Sequence, residues 1–370
     1  MSFGLETLPS GVALTLWSGQ GLPHALDASR TVLAAVQPQM VQLHAGPQGL
    51  LDHVAPIAAA VRRLVPGVAL LVGVAWDGWI ENYARETARK QVEIEALYLR
   101  AVMAAHRAGA LLVVINSEAA GKQYPEAARL FGARMIDTIR ANCPGLLLGH
   151  TAYDHPHFHP EERNHGAAID ADDEGYPWSV YYGGDRARGV EGLVLPASGP
   201  VDVAMEQVYA APAKGADGVV PMADAGALER RMRSSAASFR RAESLGWIDP
   251  TVPHLPYWQI HHVPRVSIAG QGALVPRVAC WASPTRLDGD GLAGAQVLAR
   301  AAARRLTLQT DEGLRRPTVA WAQARLGVTI DGVDGPKTRA AVARAQVELG
   351  LASTGDLTDE TLVALAANGV

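Results

Sequence analysis

Short apolar runs alternate with longer amphipathic stretches along most of the chain. The runs at 12–17, 40–44, 69–76, 111–118, 146–153, 202–209, 255–261 and 278–282 are rich in Val, Leu, Ile and aromatic residues and predict eight β-strands. Between them, apolar positions recur at helical spacing, most clearly over 81–108, 124–141, 223–245 and 292–306. Regular alternation of this kind predicts an α/β fold, a (β/α)8 TIM-like barrel occupying residues 1–308. Residues 156–200 break the rhythm, being polar, Gly-rich and without a clean helix, and they predict an extended insertion over one face of the barrel.

The pattern changes beyond residue 315, where the chain repeats itself. Ala322-Gln323-Ala324-Arg325-Leu326-Gly327 is echoed by Ala345-Gln346-Val347-Glu348-Leu349-Gly350, and the echo continues with Gly332 and Gly355, Thr338 and Thr361, and Val342 and Leu365. Each unit reads as a helix closed by a glycine, a tight turn and a second helix opened by a threonine. The Asp331-Gly332 and Asp334-Gly335-Pro336 steps supply the turn geometry. Residues 315–370 are therefore expected to form a small all-α three-helix domain.

This segment resembles the peptidoglycan-binding type 1 family, which shows a Gln-containing helix, a "DGxxGxxT" turn and an aliphatic Ala-Val run. Asp331, Gly332, Gly335, Thr338, Ala341 and Val342 match, whereas Ala322 and Ala345 stand where the family has larger residues and Thr354-Gly355 replaces the second Asp-Gly. The resemblance covers roughly one seventh of the chain and implies bacterial peptidoglycan as the partner.

Composition narrows the remaining classes. Of 370 residues 48% are hydrophobic and 19% charged, enough apolar material for a large core plus a small one. A formal net charge of −4 without a basic, aromatic-interleaved stripe argues against a nucleic-acid partner. The two cysteines, Cys143 and Cys280, read as reduced core thiols rather than a disulfide framework. No membrane segment is predicted, and a monomer is expected. The N-terminal apolar run has no Lys or Arg before it and does not read as a signal peptide. The chain is thus expected to be made in the cytoplasm and to reach the wall by holin-type release, virion delivery or injection.

In a barrel of this type the chemistry gathers where strands end at their carboxyl face. The residues there are Trp17, His44, Trp76-Asp77-Gly78-Trp79, Asn116-Ser117-Glu118, Tyr153-Asp154, Glu206 with Tyr209, Trp258 and Trp281. Aromatic rings stack on sugar faces while a pair of carboxylates handles the glycosidic oxygen and the anomeric carbon, so this set suggests a glycoside hydrolase. Glu118 is the expected general acid/base, closing the strongest strand run. Its placement resembles barrel glycosidases in which an asparagine precedes the acid/base glutamate of strand four, although Ser117 intervenes here.

Glu206 and Asp77 are candidate partner carboxylates, ranked ahead of Asp154. Trp17, His44, Trp76, Asn116, Tyr153, Asp154, Tyr209, Trp258 and Trp281 are candidate substrate contacts. Alternation along 204–209 sets Glu206 and Tyr209 on opposite faces unless the strand bends. His150, His155, His157, His159 and His165 raise the alternative of a zinc amidase or peptidase. Prolines at 156 and 160 and the absence of a His-Glu-x-x-His pattern favour a solvated loop instead. No metal or other cofactor is expected. The reading is an endolysin-like muramidase joined to a wall-binding domain, with a non-catalytic wall-binding virion protein as a further alternative.

Overall fold

The computed structural model describes residues 8–9, 11–75, 83–116, 125–152, 181–183, 195–208, 210, 219–244, 246, 248–255, 257–260, 262–265, 267–268, 270, 277–281, 289–309, 317–330, 334–358, 361 and 364–365. Its centre is a closed barrel of eight strands, each hydrogen-bonded in parallel to its neighbours in chain order, with the last returning to the first. The strands are β1 (Gly11–Leu16), β2 (Met40–Ala45), β3 (Ala69–Ala75), β4 (Ala110–Asn116), β5 (Leu147–Ala152), β6 (Val203–Val208), β7 (Tyr257–Gln259) and β8 (Arg277–Trp281). The helices around them are α1 (Leu22–Val36), α2 (Pro47–Leu64), α3 (Ala88–Arg107), α4 (Pro125–Asn142), α5 (Ala227–Ser244) and α6 (Gly289–Gln309).

Local sequence explains the helix boundaries. Both α1 and α2 carry proline in the first turn, where the missing N–H costs nothing. α1 turns Leu22, Ala25, Leu26, Ser29, Leu33 and Val36 inward at helical spacing. The sequence predicts one helix from 81 to 108, but α3 begins only at Ala88. The Thr87 side chain accepts from the Lys90 N–H, and Tyr83–Arg85 form a separate 3-10 turn.

The turn at Tyr83 is tied down by a polar cluster. The Tyr83 hydroxyl bonds Glu95, and Arg134 of α4 donates at 3.1 Å to each of Tyr83 Oη, Gln91 Oε1 and Glu95 Oε1. Burial, reinforced by Glu95, pushes the Tyr83 hydroxyl well above its ordinary value, so it remains a donor.

Period-two alternation divides each strand between two layers. Val41, Leu43, Val72, Val74, Val113, Ile115 and Leu148 pack outward under α1 to α4. Val12, Leu14, Val208, Trp258 and Ile260 pack outward beneath α5 and α6. Inside, Ala13, Met40, Leu71, Leu112, Val114, Leu147, Val203, Met205 and Tyr257 form the barrel interior, joined by Leu8 and Leu255. The register between β3 and β4 skips Leu111, which is exposed, so the apolar run beginning there contains a bulge rather than an unbroken alternation.

Beyond the barrel, α7 (Pro317–Arg325) and α8 (Pro336–Glu348) bring the small side chains Ala322 and Ala345 against Leu365. The repeat has a matching hydrogen-bond pattern. Gln323 Nε2 donates to Thr338 Oγ1 at 2.8 Å, and Gln346 Nε2 donates to Thr361 Oγ1 at 2.9 Å. Gln346 Oε1 also accepts the N–H groups of Thr354 and Gly355. Gly327 and Gly350 take positive φ just past the helix ends, as the echoed sequence requires. Among the described residues no helix is long and apolar enough to cross a membrane.

Candidate active site

The barrel interior is apolar at its amino end and polar towards its carboxyl end. Thr15, Gln42, His44, Asn116 and Thr151 are buried at interior positions of β1, β2, β4 and β5, and Tyr257 of β7 joins them by a hydrogen bond between its hydroxyl and Thr15. A polar layer inside a packed barrel is costly unless its members satisfy one another or a ligand. This one lies directly beneath the face from which the strand-to-helix segments emerge.

Among the described residues, the structure joins the candidates His44 and Asn116. Their side chains meet at 3.4 Å between His44 Nε2 and Asn116 Nδ2, although β3 lies between their strands. Gly73 makes this possible: a Cβ there would collide with His44 Nδ1 and come within 2.6 Å of Gln42 Nε2. Burial lowers the pKa of His44 to about 4, so its imidazole is uncharged near neutral pH. Trp17, half-buried, follows β1 immediately at the same carboxyl end.

Trp258 requires a correction. Its side chain is fully buried in the outer layer with Val208, Leu228, Ile260 and Ala295, between sheet and helices, and cannot stack on a sugar in the mouth. Alternation explains the error: Tyr257 and Trp258 are consecutive in β7, so only one faces inward, and Tyr257 does. In β6, Ala204 and Val208 belong to the helix-covered layers, while Val203 and Met205 belong to the interior. Position 206 pairs in register with Ala152, and Trp281 ends β8 opposite Gln259. The segments carrying Trp76, Asp77, Glu118, Tyr153, Asp154 and Tyr209 lie outside the described residues.

His150 is not part of a solvated loop. It lies on β5, fully buried, with its ring stacked on Tyr181 at 3.8 Å. Its Nδ1 is 2.9 Å from the Tyr182 hydroxyl, which donates to the His150 carbonyl at 3.2 Å. Burial holds its pKa well below the ordinary histidine value. The residue therefore packs the inserted segment against the sheet. His155, His157, His159 and His165 lie outside the described residues, and among the described ones no group of three or more His, Cys, Asp or Glu is placed to hold a metal ion. Cys143 is a buried free thiol.

Sequence reasoning passed over Thr15, Gln42, Gly73, Thr151 and Tyr257. The signal was available in part, because Gln42 and His44 stand two apart in Met40-Val41-Gln42-Leu43-His44 and so share one face. What no single strand reveals is that Gly73, on the neighbouring strand, lets His44 cross to Asn116.

Residues 315–365 match the peptidoglycan binding domain family. No curated protein matches the chain. Several solved structures resemble it at low identity. The PgaB (BpsB) glycoside hydrolase domain from Bordetella bronchiseptica is 10% identical over 79% of this chain and 98% of that one, with a TM-score of 0.41. Chitinase from Chromobacterium violaceum is 13% identical over 79% and 99%, with a TM-score of 0.43. 3-Dehydroquinate dehydratase from Geobacillus kaustophilus is 10% identical over 82% and 92%, with a TM-score of 0.39. Barrel folds of this type host many unrelated chemistries.

Proposed function

We propose that the protein is a peptidoglycan hydrolase whose barrel cleaves the glycan strand, most simply as a muramidase, and whose C-terminal domain holds it on the wall. The observation that carries this reading is the match of residues 315–365 to a family of peptidoglycan binding domains, on a chain whose barrel is polar at its carboxyl end. A binding domain keeps the enzyme near a polymer that offers many equivalent bonds, raising the effective substrate concentration without adding a catalytic contact.

Glu118 is the proposed general acid/base. It stands two residues beyond Asn116, the last residue of β4. The register of β3 against β4 ends with Ala75 paired to Asn116. In sequence, Asp77 and Glu118 each stand two residues past that pair. Asp77 and Glu206 are the proposed candidates for the second carboxylate. One carboxyl would protonate the departing glycosidic oxygen while the other stabilises or attacks the anomeric carbon or activates water. Trp17 is a candidate sugar platform, while His44 and Asn116 form the polar floor.

Replacing Glu118 with Gln tests the assignment. The variant is expected to lose nearly all release of reducing sugar ends from isolated sacculi while still pelleting with them and unfolding at the wild-type temperature. Full retained activity would remove Glu118 from the mechanism.

A further inference from the structure

We propose that His44 is a positioning residue for the glycosidic cleavage read above: its uncharged imidazole accepts the Asn116 side-chain N–H and so fixes the amide that precedes Glu118 by two residues.

Three observations carry this. First, β2 and β4 are separated by β3, so their side chains must bridge about 9–10 Å of backbone spacing, which requires a bare position between them. Gly73 is that position, paired in register with His44 on one side and Val114 on the other. Second, the atom of Asn116 that faces His44 is Nδ2, which only donates, so the contact is a hydrogen bond when Nε2 of His44 carries the lone pair and the ring proton resides on Nδ1. A doubly protonated ring would set N–H against N–H2. Third, both residues are more than nine-tenths buried, and the other polar residues of this interior layer, Thr15, Gln42, Thr151 and Tyr257, are all uncharged at neutral pH. Burial favours the same neutral form, with a pKa of about 4.

His44 is thus suited to orienting rather than to proton transfer. An amide side chain at the end of a strand has two accessible orientations with opposite hydrogen-bonding character, and an acceptor at fixed distance selects one of them. Gly73 completes the device, since any side chain there would displace the imidazole from the contact.

The test is a double-mutant cycle on release of reducing ends from isolated sacculi, using His44→Ala, Asn116→Ala, the combined variant and His44→Gln. His44→Ala is expected to lower kcat about tenfold, with KM changed by less than about twofold, as for loss of one orienting hydrogen bond. His44→Gln, which restores an acceptor near the position of Nε2, is expected to recover most of the rate. In the Asn116→Ala background, His44→Ala is expected to add nothing, because its effect passes through Asn116. Losses that multiply, or a Gln variant no better than Ala, would overturn the proposal.

Nitrogen NMR of the wild-type protein gives a readout that does not depend on turnover: Nε2 of His44 is expected as the unprotonated ring nitrogen at pH 7. A protonated Nε2 would overturn the contact whatever the activity. If wild-type protein releases no reducing ends, the hydrolase reading fails, while the nitrogen spectrum still decides the His44–Asn116 contact.

Discussion

Two histidines on the barrel strands are kept uncharged by burial, and each does a different job. His44 crosses a glycine to meet Asn116 inside the barrel, and His150 packs between β5 and the tyrosine pair Tyr181 and Tyr182 on the outside. Both have folded-state pKa values below the ordinary 6.5. As pH falls through 6.5, the unfolded chain takes up protons that the folded chain refuses. The stability these residues permit is therefore complete above pH 6.5 and declines below it, down to about pH 4 for His44. Each such histidine steepens the loss by up to about 1.4 kcal/mol per pH unit. Urea unfolding between pH 7 and pH 4 is expected to show this decline, and His44→Gln is expected to flatten it. A stability that stays level from pH 7 to pH 4 would mean that neither imidazole is held neutral.

At the scale of elements, glycine positions decide which side chains can meet. Gly132 on α4 faces the Tyr181 ring so closely that a Cβ would come within 2.8–2.9 Å of its phenol atoms. Tyr181 is fully buried and stacked on His150, so the ring has no free direction in which to move. Gly132→Ala is expected to destabilise the protein by about 1–3 kcal/mol through overpacking, although alanine favours helix. Thermal unfolding measures this, and a neutral or stabilising result would show that the tyrosine pair yields.

The strands and most helices were legible in the sequence because their apolar periods differ sharply, 2 against 3.6. The N-terminal boundary of α3 was less so, because Thr87 caps a helix that apolar content alone would start earlier. The Leu111 bulge was hidden for a similar reason: an apolar run does not reveal which residue lacks a partner.

At the scale of the molecule, the barrel and the C-terminal domain were legible through different signals, alternation for one and an internal echo for the other. The alanines at 322 and 345, which depart from the larger residues usual in the resembled family, sit in a tight apolar cluster with Leu365. The paired Gln-to-Thr bonds explain why glutamine and threonine recur at the same separation in each unit. The candidate site was legible only in part. His44 and Asn116 were found as strand-end polar residues, but their contact depends on Gly73, and Trp258 was misassigned because its aromatic character says nothing of which side of β7 it occupies.

In the proposed function the barrel cuts glycan strands while the C-terminal domain holds the wall. Mass spectrometry of the soluble fragments released from isolated peptidoglycan by the purified full chain tests it most directly. New reducing sugar ends on muropeptides with intact stems are the predicted result, and they would also identify the bond cleaved. Free stem peptides with uncut glycan, or no soluble product from protein that pellets with the wall, would contradict it.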